Sequence, residues 1–211
     1  MKTPVSKSGT KERVFELTGG QLCLDFANTI DNRPASYRRE LLNAYPDLVA
    51  WSRQARIVSY HEARRSLHAA ARDLASARNA LREARNLRET IYGVFSAVAS
   101  KRAPRVTKLG QLNSFLSRAN AQSQIIPTRN GFKWEWIPKR TELNHMLLGV
   151  ARAAVDLLTS ADHHLVRECA GDNCGWLFMD RSKNHSRRWC DMKICGNRSK
   201  VRRYRRRLNT R

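Results

Sequence analysis

Apolar residues recur at helical spacing along most of the chain. Leu22, Phe26 and Ile30 follow one another at intervals of four residues, which predicts a helix within residues 15–30 that packs this face into a core. Pro46 favours the first turn of a second helix, because proline is tolerated where the backbone N–H has no partner within the helix. The pattern therefore indicates a helical domain from its first elements onward.

Residues 60–100 are rich in alanine, arginine, leucine and glutamate, and they predict nearly continuous helix. The apolar positions expected to face the core are Leu67, Leu74, Leu81, Ile91, Phe95 and Val98. A single helix of about 40 residues is long for a globular domain, so we expect a break near residues 72–74. His61 and His68 fall on the basic side of the pattern, where we expect them to be solvated.

A β-hairpin interrupts the helical pattern. Residues 124–128 and 132–137 predict two strands, and Asn130-Gly131 between them favours a tight turn because both residues tolerate positive φ. Alternation along the second strand places three aromatic residues on one side, where core packing is the usual role: Phe132, Trp134 and Trp136. The hairpin is therefore predicted to contribute to the core.

A further helix follows the hairpin and is predicted to be capped by Thr141. Its inward positions are Leu143, Leu147, Val150, Ala154 and Leu157. Residues 160–162 break this helix and are predicted to form a domain boundary. We therefore expect a mainly α chain with three parts: a disordered lead over residues 1–13, a helical domain over residues 14–162, and a small C-terminal domain over residues 163–211.

Four of the five cysteines lie close together in this C-terminal domain. They form two pairs, Cys169/Cys174 and Cys190/Cys195, and each pair encloses four residues. Paired cysteines of this kind favour four thiolates around one tetrahedral Zn²⁺. Such a site is structural, since four protein ligands leave the metal no open position for catalysis.

Two disulfides or four free thiols are the alternatives to zinc. Disulfides need an oxidising compartment, and residues 1–15 contain no apolar run typical of a secretory signal. We therefore expect a reducing, cytoplasmic location and one zinc ion per chain. The longest apolar stretch, residues 146–158, is interrupted by Arg152 and Asp156, so no membrane span is expected.

The formal net charge is +22, and it is concentrated toward the C-terminus. Residues 165–211 hold 14 Lys and Arg against 4 Asp and Glu. A field of this sign and density attracts polyanions, among which nucleic acid is the commonest. The alternative is a solvated basic tail.

The C-terminal domain predicts a zinc finger of the treble-clef type. Residues 175–180 predict a strand, residues 181–184 the turn back, and the second cysteine pair leads into a helix near residues 196–208. On that helix, three apolar residues share a face predicted to pack on Trp176 or Trp189, namely Val201, Tyr204 and Leu208. One face would thus anchor the helix while another presents arginines to phosphate.

The candidate nucleic-acid-binding residues lie on this helix and just before the second cysteine pair. They are Arg187, Arg188, Asn197, Arg198, Lys200, Arg202, Arg203, Arg205 and Arg206. The planar guanidinium of arginine can address phosphate or guanine with two hydrogen bonds. Duplex DNA is the expected partner, because a rigid helix fits its major groove and the A-form RNA groove is too narrow. An RNA- or ribosome-associated role is the alternative.

Two motifs resemble known families. Cys195-Gly196-Asn197-Arg198, preceded by Arg188-Trp189-Cys190, resembles the CGNR zinc finger, whose ligands would be the four cysteines. Residues 20–29, GQLCLDFANT, resemble the signature of the ABATE domain, an alanine-rich helical module regarded as part of stress-induced transcriptional regulators. The resemblance implies a DNA-binding regulator located at the nucleoid, whose helical domain senses a signal. It is also compatible with a homodimer.

Asp25, Asn28 and Thr29 fall together beside the apolar face of the first helix. They predict a small-molecule pocket, or alternatively hydrogen bonds that tie down the following loop. An enzyme centred on Asp25 is a remote alternative, because residues 1–164 contain no nucleophile–base pair, phosphate loop or histidine–carboxylate metal motif. The sequence therefore predicts a protein that is not an enzyme.

Overall fold

The computed structural model describes residues 13–34, 36–136 and 142–208, with backbone alone for Trp134 and Trp136. The fold is mainly helical, as predicted. Its helices are α1 (Leu22–Ala27), α2 (Tyr45–Gln54), α3 (Tyr60–Arg72), α4 (Leu74–Ala99), α5 (Val106–Ala121), α6 (Met146–Thr159) and α7 (Asn197–Leu208). Three two-stranded antiparallel ladders accompany them: β1 (Ile30–Asp31) with β2 (Arg39–Glu40), β3 (Ser123–Thr128) with β4 (Gly131–Trp136), and β5 (Val166–Glu168) with β6 (Leu177–Met179).

Helix α4 is the centre of the core. It packs against α1, α2, α3, α5 and α6, and also against strands β5 and β6. Its inward face is fully buried and includes Leu87, Ile91 and Phe95. Beside it, the rings of Phe26 and Trp51 pack with centroids 4.8 Å apart. A 26-residue helix with one apolar stripe is long enough to contact both the helical domain and the C-terminal hairpin.

The predicted break in the long helical segment is confirmed and falls at Asp73. This residue leaves the helical backbone conformation, with φ −137° and ψ 85°. Its carboxylate then caps α4 by accepting hydrogen bonds from the N–H and hydroxyl of Ser76 at 2.9 and 2.6 Å. Helix α3 begins with its own capping box between Ser59 and Glu62. The prediction that Leu67 and Leu74 face the core is wrong, since these side chains are 38% and 61% exposed.

Helix α1 is shorter than predicted. It begins at Leu22, after Gly20 adopts a φ of +76° that ordinary residues avoid. Ile30 lies in β1 opposite Glu40 and does not extend the helix. The four-residue spacing of Leu22, Phe26 and Ile30 thus predicted a longer helix than the structure contains.

The β3–β4 hairpin is present, but one prediction about its aromatic face is wrong. Thr128 pairs with Gly131, so Arg129 and Asn130 form the connection. Phe132 is 80% exposed, because the hairpin projects from a core already closed by α5 and α6. The side chains of Trp134 and Trp136 lie outside the described residues, as does the proposed cap Thr141.

Helix α6 begins at Met146 and buries its predicted apolar face, including Leu147, Val150, Ala154 and Leu157. A 3₁₀ helix over Ala161–Leu165 leads from α6 into β5. In the part of the chain that the structure describes, no helix has the length and apolar character needed to cross a membrane.

Candidate metal centre and adjoining basic helix

The first cysteine pair lies in the connection between β5 and β6. The hairpin register pairs Glu168 with Leu177, and Cys169 N–H donates to the Trp176 carbonyl at 2.8 Å just beyond it. Cys174 N–H then donates to Gly171 at 2.9 Å, which closes a tight loop between the two sulfurs. The backbone thus positions both thiols on the same side of the hairpin end.

The second pair is positioned by the backbone leading into α7. The Asp191 carboxylate accepts a hydrogen bond from Ile194 N–H at 2.9 Å. The backbone carbonyl of Asp191 accepts one from Gly196 N–H at 3.1 Å. These bonds fold Met192–Gly196 into a wide turn that brings Cys195 back toward Cys190. Ala170 N–H donates to the Arg188 carbonyl at 2.9 Å and joins the two loops. Four ligands from two segments therefore converge.

The four sulfurs have the spacing that a zinc ion requires. All of them lie within 4.8 Å of one another. The Cys174–Cys190 and Cys190–Cys195 sulfur distances are 3.5 and 3.7 Å. A tetrahedral site with Zn–S bonds of about 2.3 Å separates its sulfurs by about 3.8 Å. The cysteines are thus positioned to bind one zinc ion, as predicted, and the fifth cysteine, Cys23, is buried in the helical core.

The thiols of this cluster cannot all ionise without a cation. Hydrogen bonds from Cys174 and Cys190 lower the pKa of the Cys169 thiol to about 2, although burial opposes this. Hydrogen bonding to the Cys169 sulfur raises the pKa of Cys174 and of Cys190, and burial raises the pKa of Cys195. Ionisation of one thiol therefore opposes ionisation of its neighbours. The two positive charges of zinc allow further ionisation, so zinc affinity falls as protons compete for the sulfurs at low pH.

Asp180 and Arg187 hold the loop between the cysteine pairs, roles that the sequence reasoning did not assign. The buried Asp180 carboxylate accepts from Ser182 N–H at 3.1 Å and from Arg187 N–H at 2.9 Å. The Arg187 guanidinium donates to the carbonyls of Trp189 and Cys190 and lies 4.7 Å from the Phe178 ring centroid. Arg187 is therefore engaged inside the finger, whereas Arg188 is exposed.

The metal hairpin is part of the main core of the protein. Val166, Leu177 and Met179 are buried in the same apolar cluster as the helices. Asn28 on the helical side uses both ends of its amide on Leu177: it donates to the carbonyl at 2.8 Å and accepts from the N–H at 2.9 Å. The Trp176 indole N–H donates to the Ile30 carbonyl at 2.9 Å. The finger and the helical domain thus share one interior.

A polar contact on α4 strengthens this junction. The Glu168 carboxylate accepts from the Tyr92 hydroxyl at 2.9 Å and from the Ser96 hydroxyl at 2.6 Å.

The loop around Arg33 approaches the finger closely at Gly175. Arg33 N–H donates to the Cys174 carbonyl at 3.4 Å. Gly175 next to it has a φ of +67°, and a Cβ there would lie 3.0 Å from the Arg33 Cβ. The close approach of the two chains explains why glycine occupies this position.

Helix α7 extends from the metal centre into solvent. It carries seven Lys and Arg residues and no acidic residue, and none of its side chains is buried. Val201, Tyr204 and Leu208 are 50%, 65% and 56% exposed, so the predicted packing on Trp176 or Trp189 is wrong. The small core of the finger is already closed by Trp176, Phe178 and the cysteines.

The basic residues of α7 differ in their surroundings. Arg202 forms an ion pair with Asp172 in the first cysteine loop, and Arg206 lies 4.0 Å from the same carboxylate. Asn197 donates to the Lys193 carbonyl at 2.9 Å and remains exposed. The other predicted phosphate contacts on this helix are also exposed, namely Arg198, Lys200, Arg203 and Arg205.

Two family models match the chain. The model for ABATE, described as "Putative stress-induced transcription regulator", matches residues 20–161. The chain belongs to the ABATE family. The model for the CGNR zinc finger matches residues 166–208, which include the four cysteines. Both resemblances seen in the sequence are thereby confirmed. A comparison with curated proteins gave no match.

The three residues predicted to border a ligand pocket are engaged within the ABATE domain and its finger. Asn28 and Thr29 are 2% and 1% exposed. Asn28 bonds to Leu177, the Thr29 hydroxyl donates to the Phe26 carbonyl at 2.8 Å, and Asp25 accepts from Gly19 N–H at 2.7 Å. All three side chains therefore form hydrogen bonds with backbone groups. The hydrogen bond of Asn28 reaches the finger and not the loop that follows α1.

A cleft of about 1040 Å³ lies between the ABATE domain and the CGNR finger. Its walls include Asp31 and Arg38 on one side and Asp172, Arg198 and Arg202 on the other. Asp25, Asn28 and Thr29 do not line it. The cavity thus borders the first turns of α7, away from the residues that the sequence suggested.

Asp25 gives the stability of the ABATE domain a pH dependence. Burial raises its pKa from 3.8 to about 6, although the Gly19 hydrogen bond opposes this. A carboxyl group with a raised pKa in the folded state stabilises the fold when protonated, and this contribution is lost as the pH rises through about 4 to 6. We therefore expect Asp25→Asn to gain about 1 to 2 kcal/mol relative to wild type between pH 5 and pH 7.5.

Urea unfolding of the two proteins at several pH values would measure this difference. The comparison with wild type removes the contribution of the other carboxylates, which titrate in both proteins. An unfolding free-energy difference that stays constant over this pH range would contradict the assignment.

Proposed function

We propose that this protein binds duplex DNA through helix α7 and regulates transcription. The observation that carries the proposal is a helix with seven Lys and Arg, no acidic residue and no buried side chain, attached at its N-terminus to a zinc site. A flexible basic tail would lose conformational entropy on binding, whereas a helix anchored by the metal centre presents its charges in a fixed arrangement. The description of the ABATE family as a transcription regulator supports the same function.

The dimensions of α7 favour DNA over RNA. Its 12 residues span about 18 Å, and a helix fits the B-DNA major groove of about 12 Å width. A shallow depression of about 580 Å³ beside the helix is lined by Lys193, Asn197, Arg198, Arg202 and Arg205. Ile194 and Val201 complete the lining, so the basic side chains border a shallow surface that is partly apolar. Arg187 is not among the contacts that we propose, because its guanidinium is occupied inside the finger.

Salt dependence provides the test. Each phosphate contact releases counterions and contributes about −0.9 to the slope of log affinity against log salt concentration. We expect Arg202→Ala with Arg206→Ala to reduce the magnitude of that slope on duplex DNA by about 1 for each arginine that touches phosphate, with a matching loss of affinity. Fluorescence anisotropy at several salt concentrations would measure it.

A matched control distinguishes the effect of the position of the arginines from the effect of the net charge that is removed. Arg102→Ala with Arg105→Ala removes the same charge from exposed side chains near the start of α5. This control is expected to leave the slope nearly unchanged. Equal slopes for both double variants would refute α7 as the binding element.

An RNA- or ribosome-associated role is the competing function. It uses the same basic helix, so the same titrations on structured RNA distinguish the two. Tighter binding to RNA than to duplex DNA at equal salt would replace our proposal with this one. Neither matching family is described as an enzyme. We propose that the protein acts in the cytoplasm at the nucleoid, with signal sensing assigned to the ABATE domain.

A further inference from the structure

A second basic surface lies on helix α3, in the ABATE domain. We call it the α3 stripe, and its members are His61, Arg64, Arg65, His68 and Arg72, all exposed. At about 100° per residue, these positions fall within an arc of about 100°. The opposite face of the helix is buried through Ala63, Ser66 and Ala70.

The residues of the α3 stripe line a groove on the surface of the protein. The groove has a volume of about 740 Å³. Ala69 and Leu143 add apolar surface to its lining, and Asp73 adds a carboxylate, which is outnumbered by the three arginines. From His61 to Arg72 the helix rises about 16 Å, which corresponds to about five phosphates along one strand of B-DNA. A sugar–phosphate backbone offers both the negative charge and the apolar sugar surface that such a groove complements.

The arginines of the α3 stripe differ from others in the same domain. Arg88 lies 2.5 Å from the Glu40 carboxylate, and Arg118 lies 3.2 Å from Glu83. Within residues 13–34, 36–136 and 142–208, the three arginines of the stripe form no ion pair within 4 Å.

The acidic residues closest to the stripe in sequence serve as helix caps. Glu62 accepts from Ser59 N–H, and Asp73 accepts from Ser76. A polyanion that occupied the groove would meet the positive charges of Arg64, Arg65 and Arg72.

The α3 stripe is separate from α7. Ser76 lies at the groove, while Tyr92 on the same helix α4 contacts Glu168 of the finger hairpin. Sixteen residues of helix between Ser76 and Tyr92 correspond to about 24 Å, or about seven base pairs of DNA. Helix α7 alone therefore cannot account for a contact at the α3 stripe.

We propose that the α3 stripe is a second binding surface for the phosphate backbone of duplex DNA. The identity of the polyanion rests on the proposed function of α7, but the residues and the helix that carries them are different. With both surfaces occupied, the protein contacts a longer stretch of phosphate than a single finger helix reaches. The ABATE domain then contributes to affinity directly.

The test uses the full chain with zinc bound and a 40-base-pair duplex. Arg64→Ala with Arg65→Ala and Arg72→Ala should reduce the magnitude of the salt slope by about 1 for each arginine that touches phosphate, up to about 3. Affinity near physiological salt should fall by at least about tenfold. Alanine retains helix propensity at these positions, and an unchanged melting temperature would show that the fold is intact.

The control removes three charges elsewhere. Arg102→Ala, Arg105→Ala and Arg129→Ala alter exposed side chains outside α3 and α7, and we expect a much smaller change. Equal effects of the two triple variants would overturn the proposal. A triple α3 variant that binds DNA like wild type but no longer binds phosphatidylserine vesicles would overturn it in favour of a membrane surface.

The two proposals fail in different ways. Loss of slope in the α3 variant with no effect of the α7 variant would refute α7 alone. The reverse result would refute the α3 stripe alone. In the variant combining all five substitutions, the two losses of slope should add, because the surfaces share no residue and are far apart.

Discussion

Replacing Cys190 by serine should remove the zinc ion and destabilise the whole protein, not only the finger. Its sulfur lies 3.5 Å from that of Cys174 and 3.7 Å from that of Cys195, so serine removes a central ligand. Structural zinc sites contribute on the order of 10 kcal/mol to folding. Because Leu177 and Met179 belong to the main core, loss of the finger should also lower the melting temperature of the helical part.

Elemental analysis and limited proteolysis would measure both effects. We expect no zinc in Cys190→Ser, rapid cleavage within residues 166–208, and a melting temperature lowered for the helical signal in circular dichroism. Cys23→Ala is the matched control, because this thiol is buried away from the cluster, and it should retain one zinc per chain. A variant at Cys190 that binds a full equivalent of zinc would contradict the ligand assignment.

Asn28→Ala should strongly destabilise the junction between the ABATE domain and the finger. The side chain is 2% exposed, and its amide satisfies both the N–H and the carbonyl of Leu177. Alanine leaves two buried backbone groups without partners, at about 1 to 3 kcal/mol each. We therefore expect a loss of about 2 to 6 kcal/mol in the free energy of unfolding.

Urea unfolding and amide hydrogen exchange would test this expectation. The Leu177 amide should lose its protection in Asn28→Ala, which a general loss of packing would not single out. Asn43→Ala is a suitable control, because the Asn43 side chain is exposed and donates a long hydrogen bond of 3.3 Å to the Glu40 carbonyl, while its other hydrogen bonds are made by the backbone. It should change stability by no more than about 0.5 kcal/mol. Similar losses in the two variants would contradict a special role for Asn28.

Features encoded in neighbouring residues could be predicted from the sequence. The break at Asp73 depends on a side chain that caps the helix three residues away, and the zinc site depends on two short cysteine loops. The start of α2 at Tyr45, next to Pro46, follows from the same local rules. For these elements, residue type and spacing contain the deciding information.

Features that depend on distant packing could not be predicted. An apolar stripe on α7 looks the same in sequence whether or not a partner surface exists, and Val201 and Leu208 have none within the described chain that buries them. Phe132 likewise fits the alternation of apolar and polar residues that is typical of a core strand, but its hairpin projects from the core. The partner of Asn28 lies 149 residues away, so neither motif nor periodicity could indicate it.

The shared core of helices and metal hairpin has a consequence for the order of events during synthesis. Asn28 and Leu177 are 149 residues apart, and translation at 5–20 residues per second makes the second about 7 to 30 s after the first. Until then, α1 and α4 lack the strands that complete their packing. The nascent chain thus exposes part of its apolar interior on the ribosome until the C-terminal segment emerges and captures its metal.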